Sequence, residues 1–157
     1  MTGQAHIALG SNLGDRAAMI HEALEKLQAE GHCSVIRCSA VIETEPVGPP
    51  QPNYLNCAAL IQTQLEPLEL MQYCLDIEQQ MGRDRTTDLR NGPRIIDLDV
   101  LFFGQVVMDD PRLTLPHPRL AERSFVLRPL CEIDPQFVHP TLGIAINDLL
   151  QRLSGVP

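Results

Sequence analysis

Two aspartates, Asp97 and Asp99, stand at alternate positions of an otherwise apolar run, Asn91-Gly-Pro-Arg-Ile-Ile-Asp-Leu-Asp-Val-Leu-Phe-Phe-Gly104. Ile95, Ile96, Leu98, Val100, Leu101, Phe102 and Phe103 give that run the character of a mostly buried strand. Desolvating an unpaired carboxylate there costs several kcal/mol or forces its neutralisation, so a partner is required. Side chains alternate along a strand, so the two aspartates share a face with Cα atoms roughly 6.5 Å apart. Two parallel carboxylates at that spacing can hold one or two hard cations. Arg94, three residues upstream of Asp97, would let a substrate phosphate meet metal and guanidinium together. The alternative is structural, with the pair tied up in salt bridges to Arg90 and Arg94.

Glu78, Arg83, Arg85, His117 and Arg123 complete the residues available for such chemistry. Phosphoryl-type transfer needs positioning and charge neutralisation more than covalent help, so acids and arginines suffice. Other phosphate devices are missing. There is no Gly-x-x-x-x-Gly-Lys-Ser/Thr run, and the sole lysine, Lys26, lies within a helical pattern. Gly10-Ser-Asn-Leu-Gly14 could bring amides to an anion or could be a tight turn before a capped helix. No Ser-His-Asp or Cys-His arrangement follows from spacing.

The net charge of −8 argues against nucleic-acid or anionic-membrane partners. Its distribution says more: residues 83–128 carry eight of the twelve basic groups, all Arg, and sum to +1, against −9 for the remainder. An arginine patch on an acidic body suits a small, highly charged anion and bidentate phosphate contacts. The five cysteines are odd in number, widely spaced and without a Cys-x-x-Cys pair, so reduced and mostly buried thiols are expected. No apolar run reaches the roughly 20 residues needed to span a bilayer. The N-terminus lacks a basic start and apolar stretch, which makes the cytoplasm the expected compartment. No self-complementary apolar stripe is visible, and a monomer is expected.

The 157 residues have the size of one domain and no internal repeats or linkers, so a single domain over 1–157 is expected. Residues 4–9 read as a first strand. Asp15 caps a helix with Ala17, Ile20, Leu24 and Leu27 on one face, stopped by Gly31. Residues 33–42 return to strand. Prolines at 46, 49, 50 and 52 make 43–53 a loop, and 54–65 a further strand. Pro67 opens a second helix lined by Leu70, Cys74, Ile77 and Met81, and Gly82 ends it. A polar loop, 83–93, leads into the aspartate strand, and a turn at Gly104 predicts a hairpin with 105–108. A proline-bracketed segment, helical material over 120–133 and a closing helix over 146–153 follow. The order β-α-β-β-α-β is that of a ferredoxin-like α+β sandwich, with helices on one face of a mainly antiparallel sheet.

Four stretches stand in this order: Ala8-Leu-Gly-Ser-Asn-Leu-Gly14, Gly48-Pro with Tyr54-Leu-Asn56, Gly92-Pro-Arg-Ile-Ile-Asp-Leu-Asp99, and Leu115-Pro-His117 with Arg123-Ser-Phe125. Together they resemble the 6-hydroxymethyl-7,8-dihydropterin pyrophosphokinases of folate biosynthesis, over residues 7–135. The resemblance implies transfer of pyrophosphate from ATP to the hydroxymethyl group of a reduced pterin, release of AMP, and two Mg²⁺ ions held by Asp97 and Asp99. It implies that Arg94 meets substrate phosphate and that Arg83 and Arg85 engage ATP phosphates. Glu78, Thr114 and His117 match nucleotide-site positions. The pterin would lie between Tyr54 and Phe125 beside Arg123, read by Asn56 and by backbone near Thr44 and Val47. A flat heterocycle favours aromatic faces, and an amide offers donor and acceptor together. Asn91 and Pro118 replace aromatics common in that family, which leaves adenine packing unassigned. The two polar loops, 43–53 and 83–93, are expected to close over the substrates. Two other readings use the same residues: a binding protein that has lost the reaction, and a different metal-dependent phosphotransferase.

Overall fold

A computed structural model of the chain describes residues 3–83 and 93–155. Among these described residues seven strands and four helices follow in the order β1 (Gly3–Ser11), α1 (Arg16–Ala29), β2 (Cys33–Cys38), β3 (Ile42–Thr44), β4 (Tyr54–Thr63), α2 (Pro67–Gln80), β5 (Asp97–Phe103), β6 (Met108–Asp110), β7 (Leu113–Leu115), α3 (Ser124–Ile133) and α4 (Ile146–Leu153). A short 3-10 turn, Leu120–Glu122, precedes α3. The main sheet runs β2-β4-β1-β5, with β3 also paired to β4, and its pairings are antiparallel. This is the ferredoxin-like order, with the aspartate strand at one edge.

Local chemistry sets the helices. Asp15 Oδ1 accepts the Ala18 N–H at 3.1 Å at the start of α1. Pro67 takes the first turn of α2, where its missing N–H costs nothing, and Glu69 bonds back to the Glu66 N–H at 2.9 Å. Along β4, Cys57, Ala59 and Ile61 face α1 and α2, while Ala58 and Leu60 face α3 and α4. That alternation splits the core in two.

The expectation that helices cover one face is therefore corrected: α3 and α4 pack on the second face against Leu101 and Phe102. A register shift opposite His6 and Ile7 leaves Leu101 unpaired and turns both it and Phe102 to that side. The 33–42 strand breaks at Ser39, whose buried hydroxyl accepts the Ala58 N–H and donates to the Ala40 carbonyl, both at 2.9 Å. Glu43 and Thr44 belong to β3, not to the proline loop. The aspartate strand begins at Asp97, so Ile95 and Ile96 precede it. The predicted hairpin of 105–108 with β5 does not form. Instead β6 pairs with β7 across a turn in which Asp110 accepts the Arg112 N–H at 2.8 Å. The helical stretch 120–133 divides at Arg123, and Ala17 is exposed while Ala23 takes its place in the core. The five cysteines are free thiols; Cys33, Cys57 and Cys74 are buried, Cys38 is exposed. Among the described residues, no helix is long and apolar enough to cross a membrane.

Candidate active site

Register places the site. Gly10 of β1 lies between Asn56 of β4 and Asp97 of β5, and Ala8 lies beside Asp99. Leu98 and Val100 fill the core under α1 and α2, so Asp97 and Asp99 project from the other face. Beyond the N-terminus of α3 that face is open. Tyr54 and Asn56 come from the start of β4, Thr44 from the end of β3, and Arg123 and Phe125 from the start of α3. Together with Glu45, Val47, Arg94 and Asp97 they line a cavity of about 110 Å³. Its walls offer the two aromatic side chains Tyr54 and Phe125 to a flat ring. The Arg123 guanidinium lies 5.6 Å from the centre of the Phe125 ring, a cation–π contact that orients both. Asn56 Nδ2 donates to Thr44 Oγ1, fixing the amide.

A second cavity, of about 290 Å³, wraps the edge of β5 and is lined by Met71, Cys74 and Leu75 of α2, by Asp99, and by Arg112, Leu113 and His117. The two cavities are neighbours. Burial pushes the His117 imidazole below its ordinary range, Arg123 pushes in the same direction, and Asp97 opposes them, so His117 senses two groups of the first cavity. His117 Nδ1 accepts the Arg119 N–H at 3.3 Å, which leaves Nε2 to carry the proton in the neutral ring. The aspartate pair thus stands at the boundary, Asp97 on the first cavity and Asp99 on the larger cleft.

Arg83 and Glu78 are buried beside the start of β5. Glu78 is 1% exposed and accepts the Leu98 N–H at 2.7 Å. Arg83 Nη1 lies 3.1 Å from Glu78 Oε2, 2.9 Å from Asp97 Oδ1, and donates to the Ile96 carbonyl at 3.1 Å. The guanidinium is a buried clamp joining the end of α2 to the start of β5. Asp97 therefore pairs with Arg83; Arg90, one of the two partners considered from sequence, lies outside the described residues. Arg94 opens on the first cavity and donates to the Pro93 carbonyl at 3.2 Å. Thr114 is exposed on β7 opposite Asp109 and lines neither cavity. Arg85, the Thr86 to Arg90 stretch and Asn91 lie outside the described residues.

The donor set fits magnesium. No group of three or more His, Cys, Asp or Glu that could cage an ion occurs among the described residues. Mg²⁺ is commonly held by one or two carboxylates with waters and substrate phosphates completing the octahedron. Asp97 is about a third exposed, and Arg83 takes one of its two oxygens, so lone pairs remain for a cation. Asp99 supplies the second carboxylate on the cleft side.

Sequence reasoning missed Asn12. It is 1% exposed and bonds both loops that flank the site. Its Nδ2 donates to Gln51 Oε1 at 2.8 Å and to the Pro52 carbonyl at 3.0 Å. Its Oδ1 accepts the Arg94 N–H at 2.7 Å, and its own N–H donates to the Arg94 carbonyl at 3.0 Å. A buried asparagine bonded on every side is a joint between segments, and only its place in the Gly10–Gly14 run hinted at it. Arg112, Met71 and Leu75 were also missed.

A profile of the 7,8-dihydro-6-hydroxymethylpterin-pyrophosphokinase family matches residues 6–135. The 2-amino-4-hydroxy-6-hydroxymethyldihydropteridine pyrophosphokinase of Methylorubrum extorquens is 45% identical over 151 residues, covering 96% of this chain and 93% of that one. The Bacillus subtilis protein of the same name is 43% identical over 137 residues, covering 87% and 81%. The folic acid synthesis protein fol1 of Pneumocystis carinii is 39% identical over 149 residues, and there the chain spans only 20% of the relative's length. Among solved structures, a wild-type Plasmodium falciparum HPPK-DHPS with pterin and p-hydroxybenzoate superimposes with a TM-score of 0.76 at 17% identity. It covers 97% of this chain and 42% of that one, a likeness of fold. The chain belongs to the 7,8-dihydro-6-hydroxymethylpterin-pyrophosphokinase family.

Proposed function

We propose that this protein transfers pyrophosphate from ATP to the hydroxymethyl group of 6-hydroxymethyl-7,8-dihydropterin, releasing AMP. The observation that carries the reading is the division at Asp97 and Asp99. A cavity with two aromatic faces and a fixed amide lies on one side, and a larger cleft with His117 and Arg112 on the other. The pterin ring stacks between Tyr54 and Phe125, with its polar edge at Asn56 and its arm directed to Asp97. The nucleotide lies along the edge of β5, its base against the apolar side chains of Met71 and Leu75. Its phosphates point toward Arg94, His117 and the carboxylates.

In the reaction the pterin hydroxyl oxygen bonds to the β-phosphorus and releases its proton to water, the bond from that phosphorus to the bridging α,β-oxygen breaks, and AMP leaves with the electron pair. Arg94 and Arg123 offset charge spreading over the transferred group. Asp97 and Asp99 would hold Mg²⁺, which when bound would supply charge neutralisation and acidify the attacking hydroxyl. His117, kept neutral by burial and by its arginine neighbours, donates through Nε2. Arg83 holds the Asp97 carboxylate in place from behind the strand.

Incubation with ATP, Mg²⁺ and the hydroxymethyl dihydropterin tests the reading. AMP and a pterin diphosphate are expected in equal amounts. ADP in place of AMP would mean ordinary kinase chemistry, and no nucleotide product would mean a binding protein.

A further inference from the structure

We propose that Gly10 is a specificity-determining residue for the ring substrate: bare backbone at this position gives the Asn56 acceptor its place and forms the floor on which the ring lies. The proposal rests on the pterin reading above and assigns it a residue that the motif alone leaves as a turn.

Gly10 is in regular strand, one register step from Asn56 on one side and from Asp97 on the other. Its backbone does not require glycine, because it is absent from the glycines with positive φ, of which the nearest is Gly14 at 69°. Glycine inside a strand weakens it and marks a point of close approach. The approach here is visible. A Cβ on residue 10 would stand 2.8 Å from Asn56 Oδ1 and 3.4 Å from Tyr54 Cδ1. The first distance is shorter than real Cβ contacts allow, so the amide oxygen would have to move. It cannot move freely, because the other end of the amide is bonded to Thr44 Oγ1. A methyl group would therefore turn the acceptor aside or break the Thr44 bond.

The same absence sets the length of the seat. Asn56 and Asp97 are each one strand from Gly10, so their Cα atoms are about 10 Å apart. That is the span of a fused two-ring heterocycle with a one-carbon arm. A ring laid over Gly10 presents its donor edge to Asn56 Oδ1 and its hydroxymethyl group to Asp97. The second cavity shares none of the side chains that a Cβ on Gly10 would meet. The effect of a side chain should thus fall on the ring and spare the nucleotide.

The test compares wild type, Gly10→Ala, Asn56→Ala and the double variant. Titration with fluorescent 6-hydroxymethylpterin reports the ring site, and titration with a non-hydrolysable ATP analogue and Mg²⁺ reports the nucleotide site. Gly10→Ala should weaken pterin binding at least tenfold, leave nucleotide affinity within twofold, and raise KM for the pterin more than it lowers kcat. In the Asn56→Ala background the added methyl should cost clearly less, because the amide it would strike first is gone. Equal pterin affinity in Gly10→Ala, an equal loss in both backgrounds, or a parallel loss of nucleotide affinity would overturn the proposal. A Gly10→Ala chain that does not fold would overturn it too, since the glycine would then serve packing. Wild-type protein that binds nucleotide but no pterin would instead sink the ring-site reading itself.

Discussion

Arg83 Nη1 lies 2.9 Å from Asp97 Oδ1 while the same nitrogen lies 3.1 Å from Glu78 Oε2. The side chains of Arg83 and Glu78 are 5% and 2% exposed, so each depends on the other to remain charged inside the protein. Removing one partner of a buried pair leaves an uncompensated charge and costs about 3–5 kcal/mol. Arg83→Ala should therefore lower stability by about that amount in urea unfolding, and Arg83→Lys by less. A variant as stable as wild type would show that the clamp is dispensable and that Arg83 serves only the substrate.

Asp97→Ala is expected to behave differently. Arg83 keeps Glu78 and the Ile96 carbonyl, so the fold should survive. Turnover should fall on the order of 10²–10³-fold or more, as for the loss of a preorganised electrostatic contact. Asp99→Ala should match it, and EDTA should abolish AMP formation in wild type until Mg²⁺ is restored. Near-normal turnover of Asp97→Ala at saturating Mg²⁺ would remove that carboxylate from the mechanism.

Asn12 joins residues far apart in sequence, Gln51 and Pro52 to Arg94. Truncation to alanine leaves the half-buried Arg94 N–H without its acceptor, which costs about 1 kcal/mol. Because Arg94 and Val47 line the ring cavity, Asn12→Ala should also lower kcat/KM for the pterin by roughly tenfold. Steady-state kinetics beside thermal unfolding separates the two effects. Lost stability with unchanged kcat/KM would make Asn12 a scaffold residue only.

The parts of this protein that were legible in the sequence are those with local signals. Asp15, Pro67 and Gly82 bound the helices, and the apolar spacing of Leu70, Cys74, Ile77 and Met81 gave the buried face of α2. Thr44, Val47, Tyr54, Asn56, Arg123 and Phe125 do share one cavity, but the resemblance, not periodicity, brought them together. Long-range polar contacts were not legible. Asn12 and the Glu78–Arg83 clamp are bonds across 39 to 82 and 5 to 14 residues, and no period encodes them. The second apolar face was missed because Leu101 and Phe102 reach it together through a register shift, which breaks the alternation that a strand should show. Val106 and Val107 look like strand yet are exposed, and the side-chain turn at Asp110 moved the hairpin one step along.

Three histidines predict the acid limit of stability. Burial lowers His6, with the Asp134 bond at 2.8 Å opposing, and burial lowers His117 and His139 as well. Groups whose folded pKa is depressed bind more protons in the unfolded chain. Stability therefore rises with pH from the folded values up to the ordinary histidine value near 6.5, and falls as pH drops below it. The urea midpoint should be flat above about pH 7 and decline between pH 6.5 and 5, before the carboxylates titrate. His139→Gln should flatten part of that decline, because one of the three proton sites is gone. A midpoint constant down to pH 5 would mean that the rings are not buried in neutral form.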